Sequence, residues 1–359
     1  MMPKLEEERS FAAIDLARFI FSLLIVAFHF PPFFGDSDVA GILDFIFLRY
    51  LERLAVPFFF LCSGFFLYRN CEFNASALKK EKKYILRMLR LYLVWTIVYL
   101  PLSINSFQYD DRGILHAVLL YIRNFIFTGS YFHLWYLNAA AMAVLLILIF
   151  RTRNKSPEKI LMIAAAFYML GLLAQSWFGM IKPMQVLTPM VWKCLKGVQR
   201  LIGTTRDGLF EAFLYTSIGM FFAVRKPSMK KEKAMIFLLL SLAALFVEIV
   251  YLKKRGWSRE TDMYIFQVPA AAFLFAFVQN MLIKPKPVFK RLRKMSALIY
   301  YVHPFLGYMM AELLEKTGVS WNALPLLLFC LTIMTAIVFS AVILNLGERN
   351  KVRVIRLLY

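Results

Sequence analysis

Motifs that identify nucleotide-, metal- and haem-dependent enzymes are missing from the sequence. It contains no P-loop, HExxH, GxSxG or CxxCH motif. Its 359 residues include only four cysteines and four histidines, and the cysteines have neither CxxC nor metal-ligand spacing. We therefore predict no metal site and no bound cofactor. We assign Cys62 and Cys330, which lie inside apolar runs, as small core residues.

Acidic residues are also scarce. The 22 Asp and Glu residues are outnumbered by 43 Lys and Arg residues, which gives a formal net charge of +21. A strongly basic chain can bind nucleic acid, but here the cations cluster between apolar runs, which is the pattern of membrane-protein loops. We therefore expect a lipid bilayer, and not nucleic acid, as the partner of the basic segments. No small-residue cleavage site follows the first apolar run, so we expect no signal peptide.

Apolar residues, by contrast, are abundant. They make up 60% of the chain, whereas soluble domains average about 45–50%. Repeated apolar runs of about 20 residues predict an all-α, polytopic membrane helix bundle that forms one domain over residues 1–359. We expect about ten transmembrane helices, at residues 12–31, 45–67, 84–103, 132–150, 159–177, 208–224, 234–252, 263–283, 296–314 and 322–345. The less apolar segment 112–127 favours an interfacial or re-entrant helix.

The distribution of cations predicts the orientation of these helices. Alternate connections are rich in Lys and Arg, whereas the connection 31–44 has three Asp residues and no cation. By the positive-inside rule, both termini are cytoplasmic. Four cations contradict this orientation, because Lys253, Lys254, Arg255 and Arg259 fall on the outer side. The longest extracytoplasmic connection is then the loop 178–207, which could meet an anionic or sugar acceptor or could simply contact solvent and lipid headgroups.

The first helix carries three ionisable residues in an apolar run, Ile14 to Phe30. An ionisable residue inside a membrane is costly and marks a functional site by default. Arg18 and His29 are separated by about three helical turns and therefore share one face. Asp15 lies one turn from Arg18 on nearly the same face, close enough for an ion pair. The helix thus presents an acid, a base and an imidazole along one side.

The second and third helices carry candidate binding residues. Arg53 lies inside the second helix, which suggests a functional partner, although its side chain could snorkel to the surface. Ser63 and Gly64 are small enough for close helix approach, so packing is the alternative to a binding role. Arg87 and Arg90 lie one turn apart at the cytoplasmic boundary. They could simply fix topology, but Arg also forks onto phosphate, as a nucleotide-like donor would require.

The fourth and ninth helices add further candidates. His133 and Trp135 open the fourth helix, where they could contact substrate or belong to the ordinary aromatic belt. Tyr300 and His303 lie three residues apart on one face of the ninth helix, just before Pro304. An imidazole embedded beside a proline kink suggests a site residue, with a packing role as the alternative.

Taken together, these segments resemble the acyltransferase-3 family of polytopic membrane acyltransferases. Five elements match in order along the chain: IDLARFIFSLLIVAFH, RLAVPFFFLCSGFF, the Arg87 and Arg90 pair, HLWYL and SALIYYVHP. The first element fits the family pattern of an Arg and a His separated by ten residues, as Arg18 and His29. The sequence departs from the commoner form at Ala17 and Phe19, where Gly often stands. It also lacks the extracytoplasmic hydrolase-like domain of some members and the racemase domain to which a related membrane region is fused in certain resistance proteins.

The resemblance implies a bundle of about ten transmembrane helices in the cell membrane, with a buried cavity. It implies transfer of an acyl group, acetyl in the first instance, from cytoplasmic acyl-CoA to a hydroxyl of a cell-surface carbohydrate, polysaccharide or lipid-linked acceptor. In this chain, His29 would be the essential histidine with Arg18 as its partner, and Arg87 and Arg90 would lie near the donor. O-acetylation in the cell envelope is the corresponding process.

Acyl transfer needs a base for the acceptor hydroxyl and stabilisation of the oxyanion. His29 suits the role of base, because its reference pKa lies near neutrality; it could instead carry the acyl group as a nucleophile. Arg18, with Asp15, could orient the site or hold CoA phosphates. We expect His133, Trp135 and the segment 178–207 to face the acceptor.

Two other classes of function remain open on the sequence alone. Intramembrane charges around a cavity also mark the substrate pathway of a multi-pass transporter of small polar solutes. Transporters often contain matching halves with broken helices, and no internal repeat is evident here. A non-catalytic membrane sensor or scaffold is the third possibility, and it predicts that replacing His29 by alanine leaves the phenotype intact.

Overall fold

The computed structural model describes residues 2–32, 41, 46, 50–69, 75–105, 112–318, 320, 324–349 and 357–359. These ranges are helical and contain no β-strand. The helices are α1 (Met2–His29), α2 (Ala55–Tyr68), α3 (Ala75–Asn105), α4 (Ile114–Phe127), α5 (Trp135–Thr152), α6 (Pro157–Leu172), α7 (Phe178–Ile181), α8 (Met184–Leu187), α9 (Pro189–Ile202), α10 (Phe213–Arg225), α11 (Lys231–Arg255), α12 (Gln267–Gln279), α13 (Pro287–Lys316) and α14 (Pro325–Arg349).

Each of the ten predicted transmembrane segments corresponds to a helix, α1 to α3, α5, α6 and α10 to α14. Among the described residues, five helices are long and apolar enough to cross a membrane, over Phe11–His29, Ala77–Ile104, Trp135–Thr152, Lys231–Arg255 and Pro325–Glu348. The chain is therefore a multi-pass membrane protein. The second helix was predicted from residue 45, but residues 42–45 and 47–49 lie outside the described residues, and α2 begins at Ala55 after a short turn, Glu52–Leu54.

The chain divides into two compact units, of which the first comprises residues 1–56 and 275–359. In this unit α1 packs along α13, and α13 packs along α14. The two helices α1 and α13 approach closely at one point, because the ring of Phe30 occupies the space that a β-carbon at Gly307 would need. This contact brings the end of α1 against the middle of α13.

The second unit comprises residues 57–274. Here α3 packs against α5, and α10 packs against α5 and α6. Helices α2 and α10 cross through Gly64 and Gly219, since a β-carbon at either glycine would overlap backbone atoms of the other helix. The packing role considered for Ser63-Gly64 therefore applies to Gly64, as expected for small residues at membrane helix contacts.

The connection 178–207 is helical rather than the loop that we predicted. Pro189 occupies the first turn of α9, where the missing N–H of proline is tolerated, and Gly203 ends the helix at a φ of 87°. A π-helical turn, Gly208–Ala212, then leads into α10. Apolar and basic residues alternate along α9 with the helical period. The prediction of a loop considered only which residue types the segment contains and not their spacing.

Candidate functional site

Two predicted histidines meet in the first unit. His29, at the end of α1, stacks on His303 of α13 with ring centroids 5.2 Å apart and an interplanar angle of 24°. His303 is fully buried, whereas His29 is partly exposed. The ring of Tyr300 lies 6.1 Å from that of His303. Periodicity placed each residue on a helix face, and the structure shows that these two faces pack together.

The hydrogen bonding of His303 shows which of its ring nitrogens carries the proton. Its Nδ1 atom lies 3.1 Å from the carbonyl oxygen of Ile299, one turn back along α13. A carbonyl oxygen can only accept, so Nδ1 carries the proton and donates it. Helix α13 continues through Pro304, which has no N–H to offer to the preceding turn. The buried ring is thus fixed by a backbone hydrogen bond, and His29 is the more exposed ring of the pair.

Asp15 forms the polar end of the same helix pair. It is 2% exposed, and its Oδ2 atom lies 3.6 Å from Nη1 of Arg293 on α13. Arg18 and Lys290 also act on its charge. The ion pair of Asp15 with Arg18 stays a prediction, and the structure adds Arg293 as a partner that the sequence did not indicate. Three cations therefore surround one buried carboxylate, about 20 Å along α1 from His29.

Arg53 belongs to the same unit. It lies in the turn Glu52–Leu54, which contacts α1, so it is beside the helix that carries Arg18 and His29. Helix α1 and the elements packed on it thus hold six of the predicted site residues in one unit: Asp15, Arg18, His29, Arg53, Tyr300 and His303.

A second group of predicted residues lies in the second unit. His133 is 1% exposed and contacts the edge of Tyr99 at a centroid distance of 4.8 Å. The chain before it is held to α3, because Tyr92 donates to the Phe125 carbonyl at 2.6 Å and accepts from the Ser130 N–H at 2.8 Å. Burial excludes His133 from a belt of residues at the lipid–water boundary. It is an interior imidazole in an aromatic environment.

Trp135 is also buried, at 7% exposed, and has a basic neighbour. The guanidinium of Arg206 lies 5.0 Å from the centre of its ring and 3.3 Å from Asp262 Oδ1. Ser63 lies in the same unit, where its hydroxyl is 3.2 Å from that of Tyr136. The structure therefore links His133, Trp135 and Ser63 to one region of the second unit and adds Arg206.

Arg87 and Arg90 are exposed on α3, within the second unit. Their exposure leaves both guanidinium groups accessible to a ligand, as a donor-binding role requires. The same exposure fits cations that fix the topology of α3.

Two further groups of buried charges are not among the predicted site residues. Arg151 belongs to a cation-rich connection, but it is buried and forks onto Glu81, which also accepts from the Tyr68 hydroxyl at 2.7 Å. Glu248 is buried and accepts from the indole of Trp177 and from the backbone N–H groups of Ile265 and Phe266. In the sequence, Glu81 is distinguished by its position between four lysines. This was the one feature that could have singled it out.

Asp207 lies in the connection before α10, and its contribution to the stability of the fold depends on pH. Burial raises its pKa to about 7, although the N–H groups of Phe210 and Leu209 donate to it. Since this pKa exceeds the unfolded value of about 3.9, the unfolded chain loses its proton first. The contribution of Asp207 to stability is therefore full below about pH 4 and falls as the pH rises toward about 7.

We expect Asp207→Asn to raise the melting temperature at pH 8 by several degrees and to change it little at pH 4, because Asn is neutral and caps helices as well as Asp. Thermal unfolding in detergent at both pH values measures this effect. Asp207→Ala is the control, and it should be less stable than Asp207→Asn at each pH because the cap is lost. Equal melting temperatures for wild type and Asp207→Asn at pH 8 would contradict the assignment.

Comparison with known proteins matches most of the chain. The chain is 26% identical to an amino-acid racemase of Enterococcus faecalis over 94% of this chain and 47% of the relative. It is 29% identical to a serine/alanine racemase of Enterococcus gallinarum over 81% of this chain and 40% of the relative. The chain thus spans less than half the length of these relatives. No solved structure matches it. The model of the acyltransferase-3 family, described as an acyltransferase domain, matches residues 11–344. The chain therefore belongs to the acyltransferase-3 family of membrane proteins.

Proposed function

We propose that the protein transfers an acyl group, acetyl in the first instance, from cytoplasmic acyl-CoA to a hydroxyl of a cell-surface carbohydrate or lipid-linked acceptor. The observation that carries this proposal is the stacked pair of His29 and His303 on helices α1 and α13, inside a domain that matches an acyltransferase family. A partly exposed imidazole fixed against a buried one suits proton transfer to and from a reacting hydroxyl.

In the proposed reaction the acceptor hydroxyl attacks the thioester carbonyl. A C–O bond forms, the C–S bond breaks, and His29 takes the hydroxyl proton and passes it to the departing thiolate of CoA. Transient acylation of His29 is the second route open to the same residue. His303 holds the ring of His29 in place, and Arg18 orients the site or binds CoA phosphates.

We assign donor binding to Arg87 and Arg90, since Arg forks onto phosphate oxygens. We assign acceptor contacts to His133 and Trp135, with Arg53, Ser63 and Tyr300 as further binding residues. The ring of Trp135 and the guanidinium of Arg206 beside it are groups that sugars and anionic groups commonly contact.

The proposal includes a single domain in the cell membrane with about ten spans and both termini in the cytoplasm. In the part of the chain that the structure describes, five helices satisfy the length and hydropathy of a span. The remaining expected spans are shorter or carry charges at one end, as α13 does at its basic first turns. Cysteine-accessibility mapping of the connections tests this topology independently of activity.

The racemase names belong to relatives at least twice as long as the matched region. We therefore base the proposed reaction on the family domain and on the residues of this chain, and we propose no racemisation.

The test is transfer of label from acetyl-labelled CoA into acceptors in membrane vesicles that contain the protein, with His29→Ala beside wild type at matched expression. We expect label in a carbohydrate or lipid fraction with wild type and none above background with the variant. Absence of transfer by folded wild type, with several acyl-CoA donors tried, would overturn the proposal. Uptake of small polar solutes by the same vesicles would then support the transporter alternative.

A further inference from the structure

Helix α9 has three distinct sides. Its most exposed apolar residues form one stripe at positions i, i+4, i+8 and i+11: Met190, Cys194, Val198 and Leu201. Met190 is 80% exposed and Leu201 is 60% exposed. Apolar side chains in such a row are rare on a surface that faces water.

A second side of α9 meets the rest of its unit. The ammonium of Lys196 lies 4.8 Å from the centre of the Phe178 ring and 4.9 Å from that of Trp192. The third side carries Lys193 and Arg200, which are exposed. Segment 178–206 contains five cations and no acidic residue: Lys182, Lys193, Lys196, Arg200 and Arg206. A helix with an apolar stripe flanked by cations is typical of helices that lie in a membrane interface.

Helix α4, beside α9, also carries an exposed apolar stripe. Leu115, Leu119, Ile122 and Ile126 form one stripe and are 71%, 58%, 49% and 53% exposed, respectively. Arg123 of α4 donates to the carbonyl oxygen of Arg200 at the end of α9, at 3.2 Å. The two helices are thus joined where both end, and each keeps an apolar stripe exposed.

Contacts at both ends hold the segment at the level where spans terminate. The N–H of Gly179 donates to the carbonyl oxygen of Trp257, which follows the candidate span Lys231–Arg255. At the other end, the guanidinium of Arg206 lies over Trp135, the first residue of the span Trp135–Thr152. The segment that carries the apolar stripe is therefore tied to the ends of two candidate spans.

We propose that α4 and α9 form an in-plane platform that docks on the interface of an anionic bilayer. The stripes of both helices enter the acyl region, and Lys193 and Arg200 contact lipid phosphates. Helix α3, in the same unit, also carries exposed apolar residues, Leu93, Ile97, Leu100 and Ile104. The platform is independent of the proposed acyl transfer.

Depth measurement by spin labelling tests the docking. In protein with Cys71→Ser and Cys330→Ser, the label goes on Cys194 or, in a second variant, on Lys193→Cys with Cys194→Ala. A control with Cys71→Ser, Cys330→Ser and Cys194→Ala retains only the buried Cys62. It measures how much label reacts with that residue. The two labelled positions are neighbours along α9 but lie on different sides. After reconstitution in vesicles with phosphatidylglycerol, we expect the Cys194 label to collide several-fold more with oxygen than with a water-soluble nickel reagent, and the label at position 193 to show the reverse.

Equal collision with the nickel reagent at both positions would overturn the proposal by placing α9 in water. Shielding of Cys194 from both reagents would overturn it by showing a protein partner or a second copy on the stripe.

A fluorophore on Cys194 tests the role of the cations. Nitroxide-labelled phosphatidylglycerol should quench it more than the phosphatidylcholine analogue at equal fraction, and Lys193→Gln with Arg200→Gln should remove the difference. Equal quenching in the protein without these two changes would overturn the assignment of the cations to lipid phosphates.

Discussion

Acyl transfer should fall by about 10²- to 10⁴-fold when His29 is replaced by alanine, because this is the range that a positioned general base contributes. The His303→Ala change should lower kcat less, by about 10- to 100-fold. His29 would still be present as the base, but it would be displaced from its position. The difference follows from exposure, since His303 is fully buried and its Nδ1 proton is committed to Ile299. Rates of label transfer at saturating acyl-CoA measure both effects.

Two further variants separate the ring of His303 from its hydrogen bond. His303→Phe keeps a flat face for His29 and loses the N–H donor, whereas His303→Asn keeps an N–H donor and loses the ring. If stacking positions His29, His303→Phe should retain more activity than His303→Asn, with the KM for acyl-CoA unchanged in both. The opposite order would assign the effect to the hydrogen bond with Ile299. Variants at position 303 as inactive as His29→Ala would show that His303 takes part in the chemistry itself.

The helices were predictable because long apolar runs identify them with little regard to their neighbours. Periodicity also placed Arg18 and His29 on one face of α1 and Tyr300 and His303 on one face of α13. It does not state which faces of distant helices meet. The contact of His29 with His303 and the ion pair of Asp15 with Arg293 depend on packing between segments far apart in sequence. These pairings could only come from the structure.

Charge presents a second limit to prediction from sequence. A cation at a helix end is usually a topology signal, and this rule assigned Arg151 to a loop. The structure buries Arg151 against Glu81. The predicted orientation also places Lys253, Lys254, Arg255 and Arg259 on the outer side, where the rule expects few cations. Arg255 lies over the rings of Tyr251 and Trp257, and Arg259 lies over that of Phe178. Contacts with aromatic rings give cations a local role that a count of charges cannot detect.

The pair of Glu81 and Arg151 should be the polar contact whose loss most affects stability. Glu81 is fully buried and Arg151 is 7% exposed. Nε of Arg151 donates to Oε1 of Glu81 at 2.9 Å, a second guanidinium nitrogen contacts Oε2, and the Tyr68 hydroxyl donates to Oε1. The network joins α2, α3 and α5. Removal of one charge leaves the other buried without compensation, which typically costs about 3–5 kcal/mol.

We therefore expect Arg151→Met to lower the free energy of unfolding by about 3–5 kcal/mol, and Glu81→Gln with Arg151→Met to recover most of that loss. The double variant leaves no charge at this site, and Gln still accepts from the Tyr68 hydroxyl. Denaturation by SDS in mixed micelles measures the single changes and the double change as one thermodynamic cycle. The matched control is Arg153→Met, because Arg153 is exposed two residues further on. An Arg151→Met protein as stable as this control would contradict a stabilising role of the pair.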